Sequence, residues 1–271
     1  MKRPRTLVVL RGGGDIGSGV AHRLFMSRIS VVITEIGKPT MLRGPVSFAE
    51  AIYKGSQRLE GVVARKVGGT REITEILDKN EIPVIIDPEA SLARAVGADV
   101  LVDAIMAKSN IGTTIDSAPI VIGLGPGFKA GIDVHAVIET NRGHNLGRVL
   151  LAGEAQPNTG QPGKIEGFTV ERVLRAPCAG VFEALKRIGD QVSNGETIAC
   201  IDHHAVVSQI AGVLRGCARD GLEVRAGQKV GDVDPRNVRE HCFTISDKAR
   251  AIGGGVLEAI LHLQNRIARA I

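Results

Sequence analysis

The residues best suited to chemistry lie in one short run near the start of the chain, Gly12-Gly13-Gly14-Asp15-Ile16-Gly17. The run follows the apolar stretch Leu7-Val8-Val9-Leu10 and opens a helical pattern over residues 17–28. Gly12, Gly14 and Gly17 satisfy G-x-G-x-x-G in a strand-to-helix setting, the context that gives the pattern meaning. The first glycine permits a tight turn, the second lets a diphosphate approach the backbone, and the third lets the helix lie against the strand. Free N–H groups at a helix start, with the positive end of its dipole, favour an anion there. A second apolar strand, Val31-Val32-Ile33-Thr34-Glu35, ends in a carboxylate 18 residues after Gly17. An acid at that place is suited to a ribose hydroxyl. The chemistry expected of Gly12, Gly14, Asp15, Gly17 and Glu35 is therefore dinucleotide binding. A packing turn without a ligand has the same glycine spacing, and that reading also stands.

A second glycine-rich loop, Gly123-Leu124-Gly125-Pro126-Gly127-Phe128, also follows an apolar strand. Ligands of open α/β sheets gather at the carboxyl ends of strands, so Gly125 and Gly127 are expected to form a second wall of the cleft, or else a tight turn. Polar candidates for the same edge are Lys108, Ser109, Asn110, Asp133, His135, Arg142 and His144, with Lys108 and Asn110 placed to recognise a phosphate or carboxylate. His135 and His144 have the chemistry of acid–base residues or metal ligands, but no partner follows from spacing. Arg43 is placed to face the ligand after the second strand; Glu35 argues against its holding a 2′-phosphate. No Ser–His–Asp, H-E-x-x-H or P-loop pattern occurs. His203 and His204 are adjacent, and neighbours on a strand point to opposite faces, so a solvated hairpin tip and no metal site is expected.

These side chains need a frame. The first 152 residues alternate apolar strands with helical patterns, the mark of a mostly parallel α/β sheet. Strands are expected near residues 61–64, 82–87, 99–104, 119–124, 135–140 and 148–151, and helices over 70–77 and 89–96, with Thr70 as an N-cap. A Gly- and Pro-rich stretch over residues 153–167 reads as a linker. Residues 168–241 then carry an internal repeat at an offset of 32: Ala179-Gly180-Val181 recurs as Ala211-Gly212-Val213, Gly189 as Gly221, Val192 as Val224, and Gly195 as Gly227. Two such β units can bury their apolar faces against each other. A last helix is expected over residues 242–271, capped by Ser246, with Val256, Ile260, Leu263 and Ile267 on one face and Gly253-Gly254-Gly255 marking a break or a close contact. It is expected to pack on the body of the protein or on a second subunit.

Ala176-Pro177-Cys178-Ala179-Gly180-Val181 and Gly189-Asp190-Gln191-Val192-Ser193-Asn194-Gly195-Glu196 resemble the biotinyl/lipoyl-like barrel-sandwich hybrid. That family presents a modified lysine between its two halves, whereas Asp202-His203-His204-Ala205-Val206-Val207 contains none, so neither biotin nor lipoate is expected. The expected fold is thus a Rossmann-like mostly parallel domain plus a small all-β barrel-sandwich hybrid and a C-terminal helix.

Composition narrows the partners. Aromatic residues make up 3% of the 271 residues, with no Trp, which argues against the stacking platforms of single-stranded nucleic-acid binders. The net charge of +5 is scattered, with Lys2-Arg3-Pro4-Arg5 as the one basic run. The four cysteines show no C-x-x-C spacing, and no apolar run reaches the roughly 18 residues of a membrane helix. A cytoplasmic protein with reduced thiols and no membrane partner is expected.

Several segments together resemble the YqeB family of selenium-dependent molybdenum hydroxylase maturation proteins. They run Gly12 to Leu24, Thr34-Glu35, Arg43 to Tyr53, Asp103 to Asn110, Gly123 to His135, Glu139 to Val149 and Pro157 to Gly163. The resemblance implies an accessory role in assembling or activating a molybdenum hydroxylase client. The ligand of the Gly12–Gly17 turn is then NAD, another adenine nucleotide, or a molybdopterin-type dinucleotide. Two alternatives remain at this point: an NAD(P)-dependent oxidoreductase, and a non-catalytic scaffold docking the client.

Overall fold

The computed structural model describes residues 6–270; the Lys2–Arg5 run lies outside them. The chain forms two units that are discontinuous in sequence. The first comprises residues up to Pro39, Ser47–Asn158 and Ile245 onward, and the second Thr40–Val46 and Thr159–Thr244.

The first unit is built on β1 (Leu7–Arg11), β2 (Ser30–Glu35), β3 (Ser56–Leu59), β4 (Val62–Val67), β5 (Ile82–Ile86), β6 (Val100–Asp103), β7 (Ile120–Leu124), β8 (Lys129–Ala130), β9 (Ala136–Ile138), β10 (Val149–Leu150) and β11 (Gly153–Glu154). Nine of these form one mixed sheet, in the order β10-β9-β7-β6-β1-β2-β5-β4-β3, and β8 pairs separately with β11. The strands from β4 to β9 in that order run parallel, while β3 and β10 close the two edges antiparallel. Val8, Val9 and Leu10, like Val32 and Ile33, are fully buried, as strands covered on both faces require. The helices are α1 (Asp15–Met26), α2 (Ala51–Lys54), α3 (Thr70–Asp78), α4 (Leu92–Ala95) and α5 (Asp247–Ala270).

This architecture corrects the expected Rossmann-like domain plus barrel-sandwich hybrid. A doubly wound unit draws a covering helix from each crossover. Here the connection from β6 to β7 holds only a single 3-10 turn at Ile115–Ser117, and the connection from β7 to β9 holds β8. The cover for β7, β9 and β10 is α5, which packs along α1 and arrives after the whole second unit. The glycines of α5 make this close approach possible without breaking the helix. A Cβ on Gly255 would sit 2.1 Å from the Gly147 carbonyl oxygen, and one on Gly19 of α1 would sit 2.6 Å from the Ala249 methyl. Ser246 caps the helix as expected, its Oγ accepting the Ala249 N–H at 3.2 Å. For α3 the N-cap is Gly69, with Thr70 the first helical residue.

The second unit holds β12 (Val173–Arg175), β13 (Gly180–Ala184), β14 (Gln191–Val192), β15 (Thr197–Ile201), β16 (His204–Val207), β17 (Gly212–Cys217), β18 (Glu223–Val224) and β19 (Lys229–Asp234). The repeat supplies β13–β15 from one copy and β17–β19 from the other. Each copy keeps its first and third strands together, β13 with β15 and β17 with β19, and exchanges the middle one: β14 pairs with β17, and β18 pairs with β13. The result is two four-stranded antiparallel sheets, β12-β19-β17-β14 and β16-β15-β13-β18, around Phe182, Ile198, Ile201, Leu214 and Val233. Thr40–Val46 completes this unit, the Cys217 N–H donating to the Leu42 carbonyl at 2.8 Å.

Candidate functional site

The glycine turn lies where β1 ends and α1 begins, at the carboxyl edge of the parallel strands. Gly12 has φ +99°, a left-handed conformation, and its N–H donates to the Thr34 carbonyl at 2.9 Å. A Cβ on Gly17 would fall 2.1 Å from the Gly12 oxygen, so the helix is seated directly on the turn. Gly14, the N-cap of α1, differs from both. Its φ of −64° is ordinary, and a Cβ there would meet nothing within 4 Å. The space above Gly14 is open, while its neighbours are packed. Gly13 is held from two sides: its N–H donates to Glu35 Oε2 at 2.9 Å, and its carbonyl accepts from Ala49 N–H and Ser18 Oγ, both at 2.9 Å. The other oxygen of Glu35 accepts the Ile36 N–H at 2.8 Å. Glu35 therefore braces the turn, and each of its oxygens keeps a lone pair for a further donor.

Two more loops close on the same edge. Gly12 lies against Ala104 and Ile105, the first residues after β6, where an added Cβ would be 3.0 Å from the Ile105 nitrogen. That loop continues through Met106 and Lys108, both at φ +58°, a conformation side-chain-bearing residues seldom hold. Lys108 is exposed, whereas Asn110 is used internally: its amide donates to the Thr113 carbonyl at 2.7 Å and its oxygen accepts the Thr113 N–H at 2.9 Å. The second glycine loop abuts both neighbours. A Cβ on Gly127 would sit 2.7 Å from Ser109 Cα, and one on Gly125 would sit 2.4 Å from Thr140 Oγ1. Gly12, Gly14, Gly17, Glu35, Lys108, Gly125 and Gly127 thus line one contiguous edge.

Lys248, in the first turn of α5, went unread in the sequence. The Gly19–Ala249 approach carries it to the start of α1, among the charges of Asp15, Glu139, Arg142 and Asp247. Burial, then Arg142, push its ammonium below the ordinary lysine range, against the pull of the three carboxylates. Arg142 is held by Asp247 in a two-pronged contact at 2.7 and 3.0 Å, and Glu139 accepts the Asn141 and Gln156 N–H groups at 2.7 and 2.8 Å. Lys248 itself makes no hydrogen bond or ion pair among the described residues, although the carboxylates of Asp15, Glu139 and Asp247 act on its charge.

Other expected site residues lie elsewhere. Arg43 falls in the second unit, where Nη2 donates to the His241 carbonyl at 3.0 Å. Asp133 and His135 precede β9 and lie at the amino ends of the strands, because the parallel β7–β9 connection carries the chain back across the sheet. His144, by contrast, is exposed in the turn between β9 and β10, at the carboxyl end of β9 and so on the edge of the glycine loops. Among the described residues no cluster of three or more His, Cys, Asp or Glu is arranged to hold a metal ion, and no helix is long and apolar enough to cross a membrane.

The chain is 48% identical over 264 residues, 97% of its length, to the uncharacterized protein YqeB of Escherichia coli strain K12. This chain is a relative of YqeB. It spans about half of that protein, 49% of its length. No family model matches the chain. Among solved structures it is 12% identical to a succinylglutamate desuccinylase from Silicibacter sp. TM1040, over 84% of each chain with a TM-score of 0.27. It is 10% identical to an aspartoacylase family protein from Mesorhizobium loti, over 85% of each chain with a TM-score of 0.28. Scores of that size carry no statement about this YqeB relative.

His135 of this YqeB relative, outside the edge, has measurable chemistry. His135 Nδ1 accepts the Val121 N–H at 3.0 Å, which places the ring proton on Nε2. Burial lowers its pKa from 6.5, and Asp116 opposes this without offsetting it. The unfolded chain therefore binds the proton more readily, and folding stability is complete above about pH 6.5 and declines as the pH falls through the lowered folded value. His135→Asn, whose Oδ1 can accept the same bond, is expected to flatten that decline in urea melts between pH 7 and pH 5. An unchanged slope would show that His135 does not titrate there.

Of the two hairpin histidines, His204 is not merely solvated in this YqeB relative, because its Nδ1 lies 3.7 Å from Cys178 Sγ and 3.0 Å from the Asp202 carbonyl. Cys217, by contrast, is buried with its thiol pushed up to about 11, and Cys242 is raised by burial too. Native-state alkylation followed by mass spectrometry is expected to label Cys178 well before Cys217 and Cys242. Equal rates at all three would contradict the structure.

Proposed function

We propose that this YqeB relative is a nucleotide-binding accessory factor that acts in the maturation of a selenium-dependent molybdenum hydroxylase. The observation that carries the binding reading is the open space above Gly14. In a turn where Gly12, Gly13 and Gly17 are each packed against backbone, the central glycine alone faces vacant room at a helix start. A diphosphate seated there would meet the first N–H groups of α1, with Lys248 and Lys108 as the cations at hand. Glu35 has the lone pairs to accept a ribose hydroxyl while it braces Gly13. The nucleotide is NAD, another adenine nucleotide, or the nucleotide end of a molybdopterin-type dinucleotide. The maturation role rests on the family resemblance of the sequence. An oxidoreductase needs an acid–base group beside the ligand; of its two sequence candidates, His135 lies at the other end of the strands and His144 is exposed in the turn after β9.

The test is a thermal-shift series with NAD, NADP, ADP, CDP and CTP, paired with mass spectrometry of small molecules that co-purify. A ligand that binds only the native state raises the melting temperature with concentration. A rise with at least one of these, or a co-purifying nucleotide, is the expected result. No rise and no bound nucleotide would overturn the proposal. Co-purification of a molybdenum hydroxylase subunit tests the maturation role separately.

A further inference from the structure

The first unit also encloses a cavity of about 580 Å³ between the segments around Glu89–Arg94 and Ile111–Ser117. It occupies the face of the sheet that carries Val9, Leu101 and Val121, where the β6–β7 connection supplies no helix. Its floor includes the buried Ala90 and Leu101. Arg11, the last residue of β1, projects into it and is only 7% exposed. Four fixed groups hold the guanidinium. Nε donates to the Pro88 carbonyl at 2.9 Å. Nη1 donates to the Ile111 carbonyl at 2.8 Å, to Thr113 Oγ1 at 3.0 Å and to Asp103 Oδ2 at 3.1 Å. Nη2 makes no hydrogen bond among the described residues. That nitrogen is not one of the fully buried atoms left without a partner, so its N–H groups open onto the cavity, where a ligand can accept them.

The rim completes the pattern. Arg94 is exposed at the mouth, and among the described residues its one hydrogen bond is a long 3.5 Å contact to the Asp116 carbonyl. Glu89 is exposed on the same rim. Two guanidiniums above an apolar floor suit a carboxylate attached to a short carbon skeleton, a pairing for which the planar guanidinium is the better cation. Asp103 already balances Arg11, and Glu89 repels a second negative charge, so a monoanion fits better than phosphate or a dicarboxylate.

We propose that this cavity binds a small organic monocarboxylate, with its carboxylate between Arg11 Nη2 and Arg94. The site is on the opposite face of β1 from α1, and the proposal does not depend on nucleotide binding.

The experiment is a melting-temperature series on the full chain with butyrate and benzoate, against succinate and inorganic phosphate at matched ionic strength. Butyrate or benzoate is expected to raise the melting temperature more than succinate or phosphate does. Arg94→Ala is expected to weaken the effect on the order of tenfold in concentration, as loss of one charge-assisted bond implies. Ser117→Trp, at the mouth, should abolish it. Both variants should keep any response to nucleotide, which separates this test from that of the glycine turn. Failure of both monocarboxylates to shift the wild type would overturn the proposal, as would an undiminished shift in both variants. A phosphate response equal to that of butyrate would also overturn it.

Discussion

Gly14→Val is expected to leave the fold and its melting temperature close to wild type while weakening nucleotide binding by more than about tenfold. The reason is the contrast within one turn. Gly14 has an ordinary φ and open space where a side chain would go, so valine meets no protein atom. It would instead occupy the space through which a diphosphate must approach. Gly17→Ala is the matched opposite. Its methyl would lie 2.1 Å from the Gly12 oxygen, and α1 would have to lift from the turn. Overpacking of that kind costs about 1–3 kcal/mol, and binding would fall only through the displaced helix. Circular-dichroism melts with and without nucleotide read both effects. If Gly14→Val unfolds the protein, the space is structural; if it folds and still binds, the ligand does not sit at the turn.

The largest loss of stability is expected from Asp103→Ala. Asp103 is fully buried and accepts from Arg11 Nη1 at 3.1 Å, from Thr113 Oγ1 at 2.6 Å and from the Ile105 N–H at 3.2 Å. Removing it strands the buried Arg11 charge, a change that typically costs about 3–5 kcal/mol. The double variant Arg11→Met/Asp103→Leu should recover part of that loss, because the uncompensated charge is gone. It should not recover all of it, since the Pro88 and Ile111 carbonyls lose their donor. Urea titration of Asp103→Ala, the double variant and the wild type measures both effects. A loss below about 1 kcal/mol for Asp103→Ala would mean that water reaches the pair.

The sequence makes the glycine turn, the β-branched strand runs and the α3 pattern legible because each is a local matter of a few residues. Glu35 was legible as an acid at the end of a strand, although its bond to the Gly13 N–H was not. Arg11 and Asp103 were not legible as a pair. They are 92 positions apart, and no spacing rule links them; only the parallel register of β1 and β6 brings them together. Lys248 was hidden for the same reason, since nothing in the α5 pattern announces contact with α1. The Rossmann expectation failed where the sequence rule was purely local, assuming that each crossover covers its own strands. The repeat at an offset of 32 was plain, but periodicity says which residues are equivalent and not which copy they pair with, so the exchange of β14 and β18 between sheets stayed out of reach.

The dependence of β7, β9 and β10 on α5 sets an order for biogenesis. On the ribosome, the nine-stranded sheet would emerge complete while one side of it still lacked its cover. Thr159–Thr244 must then be synthesised before Asp247–Ala270 becomes available to dock. Until that moment the nascent chain has its glycine turn but not Lys248, and its apolar strands stand open to chaperones. Competence to hold an anion at this edge would thus be gained late, and only by chains that have already been translated through the second unit.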